Sequence, residues 1–285
     1  MIWRSLLFVP TLEERFVAKA GTRGADALVL DLEASIAPDR KDEAREALPE
    51  AVNKLSADLP VTVRINPLWM AAIKDLEASV LPGVEAIHIA QCESAEQVRA
   101  IDGVVSDLEA QRSLPAGGIK LIALLESASA MTEASEIAAA SPRLYGLTLG
   151  VEDYATSMGV SASRDLLRPA VYQINQAAKA AHIASFAVPA SMADFRDVAS
   201  LQAEAQYARN IGTVGGYAVH PAQIQTLNEV FAPSLDELQW AKDVLEAARM
   251  AEQQGQAVFK VGGQMIDLPL IVRAQHILDV ASRTN

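Results

Sequence analysis

Leu121-Ile122-Ala123-Leu124-Leu125 runs straight into Glu126, and Leu147-Thr148-Leu149-Gly150-Val151 runs straight into Glu152-Asp153. Each is a short apolar stretch closed by an acid. Strands that are apolar on both faces belong to a parallel sheet covered on both sides, and in such proteins ligands gather at the carboxyl ends of the strands. Read this way, Glu126 and Asp153 arrive at one edge of a buried parallel sheet. Two carboxylates there can seat a hard divalent cation such as Mg²⁺. They can also be first-turn acids of the helices that follow, and spacing alone leaves Glu152 as a rival to Asp153.

Working outward, runs of the same kind occur at Ser5–Val9, Ala27–Leu32, Val61–Asn66, Ala86–Gln91, Lys120–Leu125, Leu144–Gly150, Ala184–Val188 and Gly216–His220. Helical signatures separate them. Asp39 is expected to cap a short helix through Ala44 to Leu48, bounded by Pro38 and Pro49. Ser94-Ala-Glu-Gln97 matches a capping box, and a further helix is expected from about Val198 to Ala208. Eight strand–helix units predict an α/β fold, a TIM (β/α)8 barrel. The rival doubly wound sheet would want a glycine-rich first turn, which is missing. The barrel is expected to occupy residues 1–230. Residues 231–285 make no ninth unit: Ser234-Leu-Asp-Glu237 is a capping box opening a helix to about Gln253. A strand-like Ala257–Val261, Gly262-Gly263 and a final helix complete a C-terminal helical extension.

A chain of 285 residues, 51% hydrophobic, can fill one large core. Its net charge of −12 speaks against nucleic acid or an anionic membrane as partner. The single cysteine, Cys92, allows no intrachain disulfide, which fits a reducing compartment. The opening residues lack the features of a signal peptide, and no apolar run approaches the roughly 18 residues of a membrane span. The expectation is a soluble cytoplasmic protein. Dinucleotide-binding, P-loop and serine-elbow motifs are absent, and His88, His182, His220 and His276 have no metal-ligand spacing.

Other residues carry open readings. Arg64 lies inside a strand, where a guanidinium needs an anionic partner. It can hold a substrate oxygen at the barrel mouth, or form an internal salt bridge with Asp31 or Glu33. Those two acids share one strand face and can equally serve as outer supports of a metal site. Arg15 and Lys19 share a helix face, as do Lys41 and Arg45. Such pairs suit a phosphate-bearing ligand or merely face solvent. His220, before Pro221, is expected to have a structural role near the mouth.

Taken in order, Arg4-Ser-Leu-Leu-Phe-Val-Pro10, Leu30-Asp-Leu-Glu33, Val63-Arg-Ile-Asn66, Leu125-Glu126-Ser127, Gly150-Val-Glu-Asp153, Val219-His-Pro-Ala-Gln223, Phe231-Ala-Pro-Ser234 and Gly263-Gln-Met-Ile-Asp-Leu-Pro269 resemble the CitE-like branch of the HpcH/HpaI aldolase and citrate lyase family. The resemblance spans nearly the whole chain. It implies a homotrimer of TIM barrels with one Mg²⁺ on Glu126 and Asp153. It implies Arg64 at the reacting oxygen, with Phe8, Arg15 and Lys19 on the substrate and coenzyme A side. It also implies that Asp267 reaches a neighbouring subunit's site, the extension closing that barrel's mouth. The activity implied is cleavage of a 3-hydroxyacyl-CoA of the malyl, citramalyl or citryl type to acetyl-CoA and a 2-oxo acid. A class II aldolase acting on a free 4-hydroxy-2-oxo acid, and a citrate lyase beta-like subunit served by an acyl carrier protein, are the alternatives. The chain departs from the family pattern at Ala34, at Ala90-Gln91 and at Gly212–Gly216, losing two lysines from the pattern.

Overall fold

The computed structural model describes residues 3–192 and 195–284. Eight parallel strands form one curled sheet: β1 (Ser5–Pro10), β2 (Ala27–Asp31), β3 (Val61–Ile65), β4 (Val84–Ile89), β5 (Lys120–Leu125), β6 (Leu144–Leu149), β7 (Ala184–Ser185) and β8 (Gly216–Ala218). Their order is β7-β6-β5-β4-β3-β2-β1-β8, with helices between successive strands. This is the expected TIM-type α/β architecture, followed by C-terminal helices.

Strand alternation sorts the side chains into two layers. Leu28, Leu30, Val61, Val63, Ile87, Leu121, Ala123 and Leu125 face outward onto the helices. Leu6, Ala27, Val29, Ala86, Ile122, Phe186 and Tyr217 fill the lumen together with Trp3. Burying each large aliphatic side chain contributes about 1.5–3 kcal/mol. Followed toward the carboxyl ends, the inward series continues as Phe8, Asp31, Arg64, His88 and Glu126. The register of β2 on β3 sets Asp31 opposite Arg64, and that of β3 on β4 sets Arg64 opposite His88.

The sheet does not close by a full ladder among the described residues. β7 pairs with β6 and β8 with β1. The two free sides are joined by the Val214 N–H donating to the Ser185 carbonyl at 2.9 Å. Both strands are shorter than the apolar runs that announce them. Close approach is the reason for glycine here: a Cβ on Gly215 would lie 2.0 Å from the Trp3 carbonyl oxygen.

Three local expectations are corrected. The helix after β2 runs Lys41–Leu55 with Pro49 inside it. An interior proline costs a helix about 3 kcal/mol, but Leu48, Ala51, Val52 and Leu55 are buried along one stripe that spans it. Asp39 sits in the 3-10 turn Pro38–Arg40 and supplies no side-chain cap to that helix. Ser94 caps the helix Ala95–Gln111 through the Gln97 N–H, whereas the Gln97 side chain accepts from Glu93 and leaves the box incomplete.

After the barrel, the Ser234–Glu237 capping box is complete and opens the helix Leu235–Gln253. A hairpin of β9 (Phe259–Val261) and β10 (Gln264–Ile266) leads into the helix Leu268–Thr284. Ala241, Val244, Ile266 and Ala274 form a small core of their own within this segment. No described helix is long and apolar enough to cross a membrane.

Candidate active site

The carboxyl ends of β2, β3, β5 and β6 bring one arginine and four acids together. Arg64, on β3, grips Asp31 at the end of β2 with two parallel bonds, Nε to Oδ1 at 2.7 Å and Nη2 to Oδ2 at 2.9 Å. Its Nη1 lies 3.2 Å from Glu33 Oε2, and the guanidinium carbon sits 4.5 Å from the centre of the Phe8 ring. Asp31 also accepts the backbone N–H groups of Glu33 and Ser35, at 3.0 and 2.9 Å. Burial pushes the Asp31 carboxyl up, but Arg64 and Ser35 outweigh it and hold it below its ordinary value. Glu33 goes the other way: burial raises it more than Arg64 lowers it. The salt-bridge reading of Arg64 therefore holds, and at the barrel mouth, where a ligand can reach the same guanidinium.

Glu126 follows β5 and is 6% exposed. One carboxylate oxygen accepts the Gln91 N–H at 3.1 Å; the other accepts nothing from the described residues. Burial, with the charge of Asp153 added and Arg64 opposing, raises its pKa to about 8. Asp153 stands exposed in the first turn of the helix Val151–Ser157, directly after β6. Two features make room for Glu126. A Cβ on Gly150 would lie 2.4 Å from Glu126 Cγ, so only glycine fits there. Gln91 adopts φ +46°, in the left-handed region, as it turns its N–H toward the carboxylate. Backbone strain of this sort costs of order 1–3 kcal/mol and tends to cluster at functional sites.

This donor set fits a hard divalent cation. Glu126 is raised by burial despite Arg64, the exposed Asp153 raises it further, and one Glu126 oxygen accepts no hydrogen bond from the described residues. No group of three or more His, Cys, Asp or Glu side chains converges as a full cage among the described residues. Mg²⁺ characteristically takes one or two carboxylates and keeps several waters, whereas a structural zinc would need the cage.

The structure thus gathers Phe8, Asp31, Glu33, Arg64, Glu126 and Asp153. The remaining candidates lie apart. Arg15 is exposed, 3.3 Å from Glu13 and over the Phe16 ring, and Lys19 is exposed on the same helix, Glu14–Ala20. Asp267 is exposed before the final helix, and no contact joins it to the cluster within this chain among the described residues. The second basic pair is structural. Lys41 Nζ donates to the carbonyls of Leu32 and Glu33, and Arg45 pairs with the buried Asp75 at 2.6 Å. His220 also proves structural: its Nδ1 caps the turn Pro221–Gln223, and its ring stacks on Phe195 at 4.5 Å.

Sequence reasoning missed Asp75, which accepts from Asn66 N and Nδ2 as well as Arg45, and so ties the helix Lys41–Leu55 to the end of β3. It also missed the His88–Tyr217 contact across the lumen, at 3.0 Å. The inward alternation of β4 was the one available signal for His88. A groove of about 590 Å³, walled by Leu68 and Trp69, opens beside Gln91. A cleft of about 660 Å³ lies away from the cluster, lined by residues 209–214 and the final helix; its Arg209 is already paired with Glu237 at 2.6 Å.

The sequence model of the HpcH/HpaI aldolase/citrate lyase family matches residues 4–221, which carry every strand of the barrel and the whole cluster. The chain belongs to that family. It is an enzyme of the CitE-like lyase type, whose chemistry is carbon–carbon cleavage at an oxo acid. Citrate lyase subunit beta of Haemophilus influenzae is 34% identical over 282 residues, covering 98% of this chain and 96% of its own. The L-malyl-CoA/beta-methylmalyl-CoA lyase of Cereibacter sphaeroides is 31% identical over 299 residues, covering 96% and 93%. Among solved structures, CitE from Mycobacterium tuberculosis in complex with magnesium, acetoacetate and coenzyme A superposes with a TM-score of 0.76 at 31% identity, covering 98% of this chain and 97% of that one.

Proposed function

We propose that this lyase cleaves a 3-hydroxyacyl-CoA thioester to acetyl-CoA, or a homologue, and a 2-oxo acid, using Mg²⁺. The observation that carries the reading is Arg64, clamped edge-on by Asp31 and facing the Glu126–Asp153 pair. Support comes also from relatives of both kinds, a citrate lyase beta subunit and a malyl-CoA lyase, each aligned over nearly the full chain.

Glu126 and Asp153 would hold the metal, which when bound would supply Lewis acidity toward the oxygens of the oxo-acid end. Asp31 and Glu33 keep Arg64 charged and hold its edge. Arg64 faces the thioester carbonyl and stabilises the enolate oxygen that develops as the C–C bond breaks. Asp267 of a neighbouring subunit, in its acid form, protonates the enolate carbon, while the substrate hydroxyl gives its proton to solvent water and water restores the acid, so that the proton lost from oxygen equals the one gained on carbon. Phe8, Arg15 and Lys19 line the approach of the coenzyme. In this reading residues 231–285 form the extension that covers the next barrel of a homotrimer.

Asp267→Ala is expected to abolish turnover of malyl-, citramalyl- or citryl-CoA while leaving Mg²⁺ affinity, read by calorimetry, unchanged. Full activity in that variant would remove the proposed acid. A second reading, a beta-type subunit acting on a thioester borne by an acyl carrier protein, is favoured by the citrate lyase relatives. Calorimetry with acetyl-CoA separates the two. Binding strengthened by Mg²⁺ plus glyoxylate, pyruvate or oxaloacetate supports the CoA reaction. Binding of the oxo acid without acetyl-CoA favours the carrier or the free-acid aldolase.

A further inference from the structure

Beneath Arg64 a chain of polar contacts crosses the barrel. The Tyr217 hydroxyl on β8 lies 3.0 Å from His88 Nδ1 on β4, and His88 Nε2 lies 2.8 Å from Thr62 Oγ1 on β3. Thr62 Oγ1 in turn donates to the Leu28 carbonyl at 2.8 Å. The last bond fixes the direction of the others. With its proton committed, Thr62 Oγ1 accepts, so His88 Nε2 donates and Nδ1 accepts from Tyr217. Tyr217 is 7% exposed, and Thr62 and His88 are fully buried.

Burial, with Arg64 adding to it, holds the His88 pKa down at about 3. The imidazole is therefore neutral at working pH and relays no charge. Its contribution is orientation. The Tyr217 ring stacks on Phe8 at 5.2 Å and 24°, and Phe8 supports the Arg64 guanidinium at 4.5 Å. Asp31 grips the edge of the guanidinium and Phe8 its face. Without the hydroxyl bond the tyrosine ring keeps its volume but loses the tether that fixes its tilt, and Phe8 tilts with it. The contact also spans from β8, on the unpaired side of the sheet, to β4 on the opposite wall.

We infer that Tyr217, held by His88 and Thr62, is a positioning residue that sets the plane of the Arg64 guanidinium through Phe8. The inference rests on Arg64 acting in the reaction proposed above. Angular misplacement of a group that must face a developing charge lowers kcat without weakening ground-state binding.

The test is Tyr217→Phe in protein carrying 15N-labelled arginine, with the Arg64 Nε–H signal identified by its loss in Arg64→Lys. Exchange of that proton with water is expected to quicken roughly tenfold. The kcat for thioester cleavage is expected to fall roughly five- to fiftyfold, with KM and Mg²⁺ affinity held within about twofold. An unchanged Arg64 signal overturns the inference whatever the activity. A changed signal with kcat intact also overturns it, because the chain would then be packing alone. A changed signal in a protein that cleaves no CoA thioester even as wild type removes the proposed reaction and keeps the positioning role. If Tyr217→Phe fails to fold, Thr62→Val withdraws the far end of the chain without changing its shape and is read in the same way.

Discussion

Two arginine–carboxylate clusters sit at opposite ends of the barrel, and they are balanced differently. At the amino-terminal end, just before β6, Arg143 uses all five of its N–H groups: on Asp102, on both oxygens of Glu109, on Ser106 and on the Ile119 carbonyl, at 2.7–3.0 Å. Glu109 takes two further backbone bonds from Gly117 and Ile119. Although burial pushes both acids up, these bonds hold Asp102 and Glu109 below their ordinary values. At the carboxyl-terminal end one arginine faces Asp31, Glu33, Glu126 and Asp153, and Glu126 is driven up to about 8. The same groups make a closed knot at one end and an unfilled socket at the other. The first stabilises the fold; the second, in the reaction proposed above, takes a cation and a substrate.

The sharpest way to break this comparison is to neutralise one charge at each end. Glu126→Gln is expected to lower Mg²⁺-dependent turnover by about 10³-fold or more, while the metal-free variant becomes more stable to urea at pH 8. The sign follows from linkage. The folded value near 8 lies above the ordinary 4.5, so the folded, metal-free protein keeps a proton that the unfolded chain has lost. Stability is full below about 4.5 and falls as pH rises toward 8, by a few kcal/mol at the order of magnitude. Urea melts with chelator from pH 5 to 8.5 should slope downward in the wild type and flatten in the variant. A flat wild-type profile would mean that Glu126 is not the strained group.

Arg143→Leu is expected to cost about 3–5 kcal/mol of unfolding free energy, because the buried Glu109 and the half-buried Asp102 lose their partner. Turnover per folded molecule should stay within about twofold. Loss of turnover in excess of lost folding would erase the division of labour. Gly150→Ala probes the socket more gently. Displacement of Glu126 by the added methyl is expected to weaken Mg²⁺ binding about tenfold and to cost about 1–3 kcal/mol. Unaltered calorimetric affinity would show that Glu126 can shift without consequence to the metal.

The fold was legible because eight runs are apolar on both faces, a pattern that only a covered parallel sheet accommodates. Arg64 stood out for the same reason, being a charge in such a run. Asp31 and Glu33 were readable by alternation, and the structure realises both as its partners. What stayed hidden is what depends on pairs distant in sequence. Tyr217 and His88 are 129 residues apart and meet only because β8 and β4 face one another. Asp75 looks like any helical acid until Asn66 and Arg45 fold onto it. Pro49 reads as a stop because its local cost is visible and the buried stripe that offsets it is not.

The seam between β7 and β8 gives the barrel a mechanical property that a fully laddered ring lacks. A hoop cut at one point can change its girth by widening the cut, leaving every link of the band intact. Here the cut is bridged by the Val214–Ser185 bond, and the cluster sits on β2 through β6, away from it. The strands that carry the charged groups are thus laddered on both sides, and the one interruption of the band among the described residues falls elsewhere.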